Sequence, residues 1–248
     1  MNTFKDHFSA QAADYARYRP RYPAALFEFL ASRAPYRRLA WDCATGNGQV
    51  AGGLAPHFQA VMATDASASQ IAQAARLPNV EFRVEPAESS SLADASVDLV
   101  TVGQALHWFD LEGFYAEVRR VARPGALVAA WCYNLLSCDP AVDRVVLHYY
   151  RDVVGPYWSA DRVKVERGYR DLPFPFDPVN APELGLEADW DLAEFTGYLG
   201  TWSAAQRYRE ARGADPREAI AAGLAAAWGS PGEKRRIEWP LHFRIGRA

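Results

Sequence analysis

The residues best suited to hold a small ligand run from 42 to 48, Asp42-Cys43-Ala44-Thr45-Gly46-Asn47-Gly48. Glycine at 46 and 48 lets the backbone turn tightly and approach a ligand with no Cβ in the way. The segment separates a strand-like run, Leu39-Ala40-Trp41-Asp42, from a helical one, Gln49 to His57. In open α/β sheets nucleotide-like ligands sit at this first strand-to-helix turn. A short glycine loop is a weak signal alone; its weight comes from residues further along the chain. Asp65 closes the next strand-like run about twenty residues on, where a carboxylate can accept hydrogen bonds from both ribose hydroxyls, although an aspartate there suits a helix N-cap equally well. Ala87-Glu88 comes after the third run, where a helix-starting acidic turn would border an adenine. Gln104 and His107 come after the fourth.

The same residues disfavour other ligands. A dinucleotide wants G-x-G-x-x-G, so that its pyrophosphate rests on a helix N-terminus. Here the third glycine is missing and Asp42 places a carboxylate beside the position of the phosphates, which an adenosine carrying a cationic amino acid tolerates. No G-x-x-x-x-G-K-[ST] occurs, which removes a P-loop nucleotidase. His107 titrates near neutral pH and is the first candidate for a general base, with a capping or packing histidine as the alternative. Trp108, Trp131 and Tyr133 suit either a dry pocket wall or the core. Cys43, Cys132 and Cys138 are an odd set without metal-like spacing, so no metal site and no disulfide framework is expected.

These groups need a scaffold, and the pattern from about residue 38 to 132 supplies one. Ala60–Asp65, Val80–Val84, Val97–Val102 and Ala126–Trp131 read as strands. Between them lie a helix opened by Ser67 or Ser69 and one from Leu111 to Ala122 with apolar residues at helical spacing, ended by Pro124-Gly125. Such alternation implies βαβ units and a parallel sheet. Beyond 132 the expectations are helices at 141–153, 192–199, 204–211 and 215–228, a strand near Gly185–Trp190, and a closing strand Ile237–Ile245 whose Pro240 prefers an edge or bulge. Leu172–Pro178 is too proline-rich for a helix or a central strand.

Composition sets the outer bounds. The chain of 248 residues is half apolar, enough for a full core. Its net charge of −3 gives no general attraction to nucleic acid or anionic lipid. The first twenty residues lack the apolar stretch of a signal peptide, and no run approaches the roughly 20 apolar residues that span a bilayer. A cytoplasmic protein, monomer or homodimer, without nucleic-acid or membrane partners is the expectation.

With D-x-x-T-G-x-G, an acid after the second strand, A-E after the third and P-G before the fifth, residues 38–132 resemble the class I S-adenosylmethionine-dependent methyltransferases. Tyr15–Pro23, Gln104–Asp110 and Phe195–Ser203 extend the resemblance towards the subgroup that includes trans-aconitate methyltransferase and related small-molecule enzymes. One departure is Ala44, where the wider class more often has glycine. The resemblance implies an α/β, Rossmann-like three-layer sandwich whose seven-stranded, mostly parallel sheet ends in an antiparallel strand. It implies a single domain over 1–248: a cap segment at 1–37, a cofactor core at 38–132, an insertion at 133–182 forming the acceptor pocket, and the rest of the sheet at 183–248. S-adenosyl-L-methionine would be the cofactor. Gly46 and Gly48 would lie against its amino-acid part, beside Asp42 and Ala44. Asp65 with Ala66 would hold the ribose, Ala87 and Glu88 would flank the adenine, and Gln104 and Ala105 would complete the contact. Tyr15 and Arg19 would reach the methionine carboxylate, which a guanidinium can bind through paired hydrogen bonds. His107, Trp108, Trp131 and Tyr133 would face a small-molecule acceptor, methylated on a carboxylate or hydroxyl oxygen. A non-catalytic cofactor binder and a nicotinamide-dependent oxidoreductase are the alternatives.

Overall fold

The computed structural model describes residues 18–248. Helix α1 (Ala24–Arg33) leads into five parallel strands, β1 (Leu39–Cys43), β2 (Ala60–Asp65), β3 (Val80–Val84), β4 (Val97–Gly103) and β5 (Ala122–Tyr133). Helices α2 (Gln49–Leu54), α3 (Ala68–Ala72) and α4 (Leu111–Val121) lie in the connections. The sheet order is β3-β2-β1-β4-β5, followed by the antiparallel β8 (Arg235–Arg247). Outside β8 run β6 (Asp177–Pro178) and β7 (Gly185–Trp190), both antiparallel to it. Pro178 faces Gly246 and Gly185 faces Pro240, so the two pieces lie along the same side of β8, one beyond the other. The expected seven lanes with an antiparallel strand are therefore present, the outermost lane broken in two.

Strand residues alternate between two cores, as a pleated sheet covered on both faces requires. Ala40, Val61, Leu99 and Ala129 pack with α1, α2 and the C-terminal helices, while Trp41, Met62, Val100 and Val128 pack with α4 and with Tyr169 and Phe176. Buried Asp98 in β4 accepts from the backbone N–H of Arg38 and Leu39 through one oxygen and is paired with Arg123 through the other, which offsets the cost of a charge in the core.

After β5 come α5 (Pro140–His148), a π-helical turn at Tyr149–Val153, a 3₁₀ turn at Gly155–Tyr157 and α6 (Arg162–Glu166). The later helices are α7 (Leu192–Gly200), α8 (Ser203–Arg212) and α9 (Ala221–Trp228). Several expectations are corrected. The stretch 215–228 is a 3₁₀ turn at Pro216–Ala219 and a separate helix from Ala221, with Ile220 at φ −116° between them. The helix expected to start after Ala87-Glu88 does not form; no helix lies between β3 and β4. Pro124-Gly125 does not end α4, which stops at Val121, but sits where the β4–β5 register shifts, with Gly125 at φ 77°. At Pro240 the expectation holds: Leu241 N–H donates to Leu184 O, so the missing N–H of Pro240 faces the other side, past the last β5 pair, Tyr133↔Leu241. Among the described residues, no helix is long and apolar enough to cross a membrane.

Candidate active site

The order β3-β2-β1-β4-β5 reverses between β1 and β4, and ligands of open α/β sheets bind in the crevice at that switch point. The loop from Ala44 to Gly48 lies there. Ala44, Gly46 and Gly48 all adopt positive φ, at 54°, 58° and 86°. Gly48 is doubly constrained, since a Cβ there would lie 2.9 Å from the Phe82 ring. Ala44 bears a Cβ in a left-handed conformation, a strain of roughly 1–2 kcal/mol. The departure seen in the sequence is thus a backbone matter more than one of room.

Asp42 braces the loop from beneath. Only 1% exposed, it accepts from Thr45 Oγ1 at 2.5 Å, Thr101 Oγ1 at 2.8 Å and Ala51 N at 3.1 Å. Burial pushes its carboxyl up to about 7 despite these donors. Its oxygens are turned to internal partners, which removes the electrostatic ground for excluding a pyrophosphate. Asp65, at the end of β2, accepts from Gly46 N and Ser67 N, both at 2.8 Å. It fastens the loop to the turn before α3, whose N-cap is Ser67.

Across the crevice, Gln104 succeeds β4 with φ 60°, rare for a residue with a side chain. Its amide donates to Tyr133 O at 3.0 Å and accepts from Tyr133 N at 2.8 Å, extending the β4–β5 ladder by a side chain. A strained residue held by surrounding bonds at the carboxyl end of a central strand is a pointer to function.

Two clefts meet here. Arg19, Asp42, Ala44, Gly46, Gln104 and Tyr133 line the first, together with Thr45, Asn47 and Gln49. The second is bounded by Arg19, Gln104, His107, Trp108 and Tyr133 and by residues that sequence reasoning did not single out, chiefly Trp158, Arg162, Tyr198 and Trp202. Tyr198 and Trp202 fall inside the Phe195–Ser203 motif, so a signal existed for them; Trp158 and Arg162 had none. Arg19, Gln104 and Tyr133 belong to both clefts, and Arg19 Nη1 donates to the Tyr133 hydroxyl at 2.9 Å.

Not every expected site residue borders a cleft. Gly48, Asp65, Ala66, Ala87, Glu88, Ala105 and Trp131 line neither cleft. Trp131 is fully buried in the core, its ring edge-on to Tyr22 at 5.6 Å. Ala87 and Ala105 pack on the α4 side, and Glu88 accepts from the Asp110 N–H. Ala66 is exposed beside Asp65. Tyr15 lies outside the described residues.

His107 is 8% exposed, with Nδ1 2.8 Å from the Tyr169 hydroxyl. Burial, aided by the nearby Arg162 charge, pulls its pKa down to about 3. The ring is neutral at physiological pH. Arg162 reaches Asn134 Oδ1 and the Tyr150 hydroxyl, each at 2.8 Å. It stands 4.6 Å from the Trp158 ring centroid and 5.3 Å from that of Tyr150. The Tyr150 hydroxyl in turn donates to Glu166 Oε1 at 2.5 Å.

The donor set of the first cleft fits S-adenosylmethionine: a guanidinium for its carboxylate, and a positive-φ glycine loop with neighbouring amides for the rest. The cleft holds about 70 Å³ and continues into the second past Arg19, Gln104 and Tyr133.

A methyltransferase domain family matches residues 41–130. A methyltransferase-family protein of Dictyostelium discoideum is 31% identical over 251 residues, covering 98% of this chain and 95% of that protein. An uncharacterised methyltransferase of Mycobacterium tuberculosis is 35% identical over 64% of this chain and 69% of its own length. Among solved structures, one assigned as a type II methyltransferase from Anaeromyxobacter dehalogenans shares 51% identity, with a TM-score of 0.86 over 92% of this chain and 97% of that one. Kinship along the whole length, with the braced glycine loop at the sheet's switch point, makes this chain a member of the class I S-adenosylmethionine-dependent methyltransferases.

Proposed function

We propose that the chain methylates a small anionic acceptor, on a carboxylate oxygen, with the acceptor seated in the aromatic cleft against Arg162. The observation that carries this is the shared wall. Arg19, Gln104 and Tyr133 border both clefts, so a methyl donor in one meets an acceptor in the other along a short path.

The cofactor supplies a methyl group activated by its sulfonium; the chain supplies alignment and a dry site. Holding two reactants in line is worth up to roughly 7–11 kcal/mol. Gln104, pinned to the Tyr133 backbone, keeps the wall rigid. Trp158, Trp202 and Tyr198 exclude water around the acceptor. The described residues lining that cleft include two arginines and no acid, which supports an anion. His107 is neutral and a poor base with its pKa near 3, and a carboxylate nucleophile needs no base at neutral pH. Tyr133, Asn134, Trp158 and Arg162 all come from 133–182, so acceptor choice falls to that segment. Asp42, Ala44, Gly46 and Gln104, with Arg19, hold the cofactor; Asp65 acts on it through the loop.

The test is turnover of methyl-labelled cofactor on panels of carboxylic acids, phenols and amines, with calorimetry of S-adenosylhomocysteine and NADH in parallel. Base-labile methyl ester formed on an acid is the expected product. Turnover confined to amines or phenols sinks the acceptor assignment.

A further inference from the structure

Helix α7 carries a glycine in its interior, at 197. Such a glycine is less favourable than alanine by about 1 kcal/mol, and Gly197 is not among the residues with positive φ that would require it. What it meets explains it. A Cβ on Gly197 would lie 2.6, 2.7 and 2.7 Å from three carbons of the Tyr18 ring. The ring rests on the bare Cα, a position any side chain would occupy.

Tyr18 is joined directly to Arg19, two of whose contacts fall on the same helix end. Its Nη2 donates to Thr201 O at 3.2 Å and its guanidinium stands 5.5 Å from the centroid of the Tyr198 ring. The segment before α1 is thus fastened to α7 by a ring on a glycine, a guanidinium over a ring and a hydrogen bond to the helix end. The cofactor-side cleft that Arg19, Pro20 and Tyr22 help to close holds about 70 Å³, far below the roughly 300 Å³ of an ordinary small-molecule pocket. Seated on α7, this segment presents Arg19 to that cleft. Tyr18 and Gly197 also border an open cleft of about 710 Å³ on the other side, which leaves the ring room to move.

We propose that Gly197 is a positioning residue for methyl transfer: its bare Cα is the seat for Tyr18, and through Tyr18 it sets whether Arg19 stands at the junction of the two clefts. The proposal rests on the reading of that junction as the place where cofactor and acceptor meet. Gly197→Ala separates the role from simple stability, because alanine favours the helix while its methyl unseats the ring.

The experiment compares the full-length protein with Gly197→Ala, Tyr18→Ala and the double variant. It reads stopped-flow and calorimetric binding of S-adenosylhomocysteine, thermal melting, and hydrogen exchange of residues 18–22. Gly197→Ala should melt no lower than the parent, yet bind about tenfold more weakly through faster dissociation, with faster exchange in 18–22. The double variant should bind no worse than either single one, since each already removes the shared contact. Parental affinity and protection in Gly197→Ala, or single effects that add fully in the double variant, overturn the proposal. So does a lowered melting point with equal loss of protection throughout α7. If the parent does not bind S-adenosylhomocysteine, the cofactor reading fails instead, and exchange in 18–22 still decides whether Gly197 seats Tyr18.

Discussion

Around the cofactor-side cleft much of the wall is one stretch of chain, residues 42–50, held by bonds among neighbours and to the ends of β2 and β4. Around the acceptor-side cleft the wall is assembled from Arg19, the Gln104–Trp108 turn, the end of β5, the Trp158–Arg162 region and the junction of α7 with α8. The first is a local object made of backbone and short polar side chains. The second exists only after distant segments have packed. Damage to the first should act on folding and cofactor together, whereas damage to the second should change what is methylated while leaving the cofactor bound.

The largest effect belongs to Asp42. Asp42→Ala leaves Thr45 Oγ1, Thr101 Oγ1 and Ala51 N without their common acceptor. With about 1–3 kcal/mol for each buried group left unsatisfied, a loss of roughly 3 kcal/mol in urea unfolding and more than a hundredfold in S-adenosylhomocysteine affinity is expected. Asp42→Asn isolates the charge. The folded carboxyl titrates near 7 and the unfolded one near about 3.9, so between those values the folded state binds the extra proton. Its contribution therefore falls as pH rises from about 4 to 7 and is flat above. Denaturation at pH 5 and pH 8 should show the parent losing more stability than Asp42→Asn over that interval. Equal losses would mean the carboxyl is already ionised in the fold.

Arg162 sharpens the comparison from the other side. Arg162→Met keeps much of the stem packing against Trp158 and removes the charge. Loss of a charge-assisted contact, about 1.5–3 kcal/mol, should raise the KM for a carboxylate acceptor by roughly 10- to 100-fold, with S-adenosylhomocysteine affinity within about twofold of the parent. Equal loss of both would erase the division between the clefts.

His107 gives a smaller effect. Its folded pKa near 3 lies below the unfolded value of about 6.5, so its contribution to stability is full above the unfolded value and is lost as pH falls from there towards 3. In catalysis it should be silent between pH 6 and 8. His107→Gln, which retains a partner for the Tyr169 hydroxyl, should keep turnover within about tenfold of the parent and leave the pH–rate profile unmoved. An inflection near neutrality that disappears in the variant would restore the general base.

The same division explains what the sequence disclosed. Strands β1 to β5, the Asp42–Gly48 loop, Asp65 and Gln104 are legible because short apolar or alternating runs, glycine geometry and the βα-turn rule are local. Asp42 was legible as a member of the site and misjudged as a charge, because burial is a tertiary property. Glu88 looked like the start of a helix, but its carboxylate serves the N–H of Asp110, across the site in sequence. Arg162 was invisible. It is aligned by rings at 150 and 158, which π-helical and 3₁₀ turns bring together, and such turns carry no periodic signature.

The smallest test concerns Ala44, where the local region departs from its own family's pattern. At φ 54° its Cβ crowds the following carbonyl, a penalty of roughly 1–2 kcal/mol. Glycine removes that penalty but starts from a freer unfolded chain, which returns part of the gain. A net stabilisation of about 1 kcal/mol is expected for Ala44→Gly, a rise of roughly 2–4 °C in melting temperature for a chain of this size, with acceptor selectivity unaltered. A lower melting point would mean that the Ala44 side chain makes compensating contacts with the α4-side core, against which it packs. The loop would then owe its shape to packing as well as to its bonds, and the contrast between the two clefts would be one of degree.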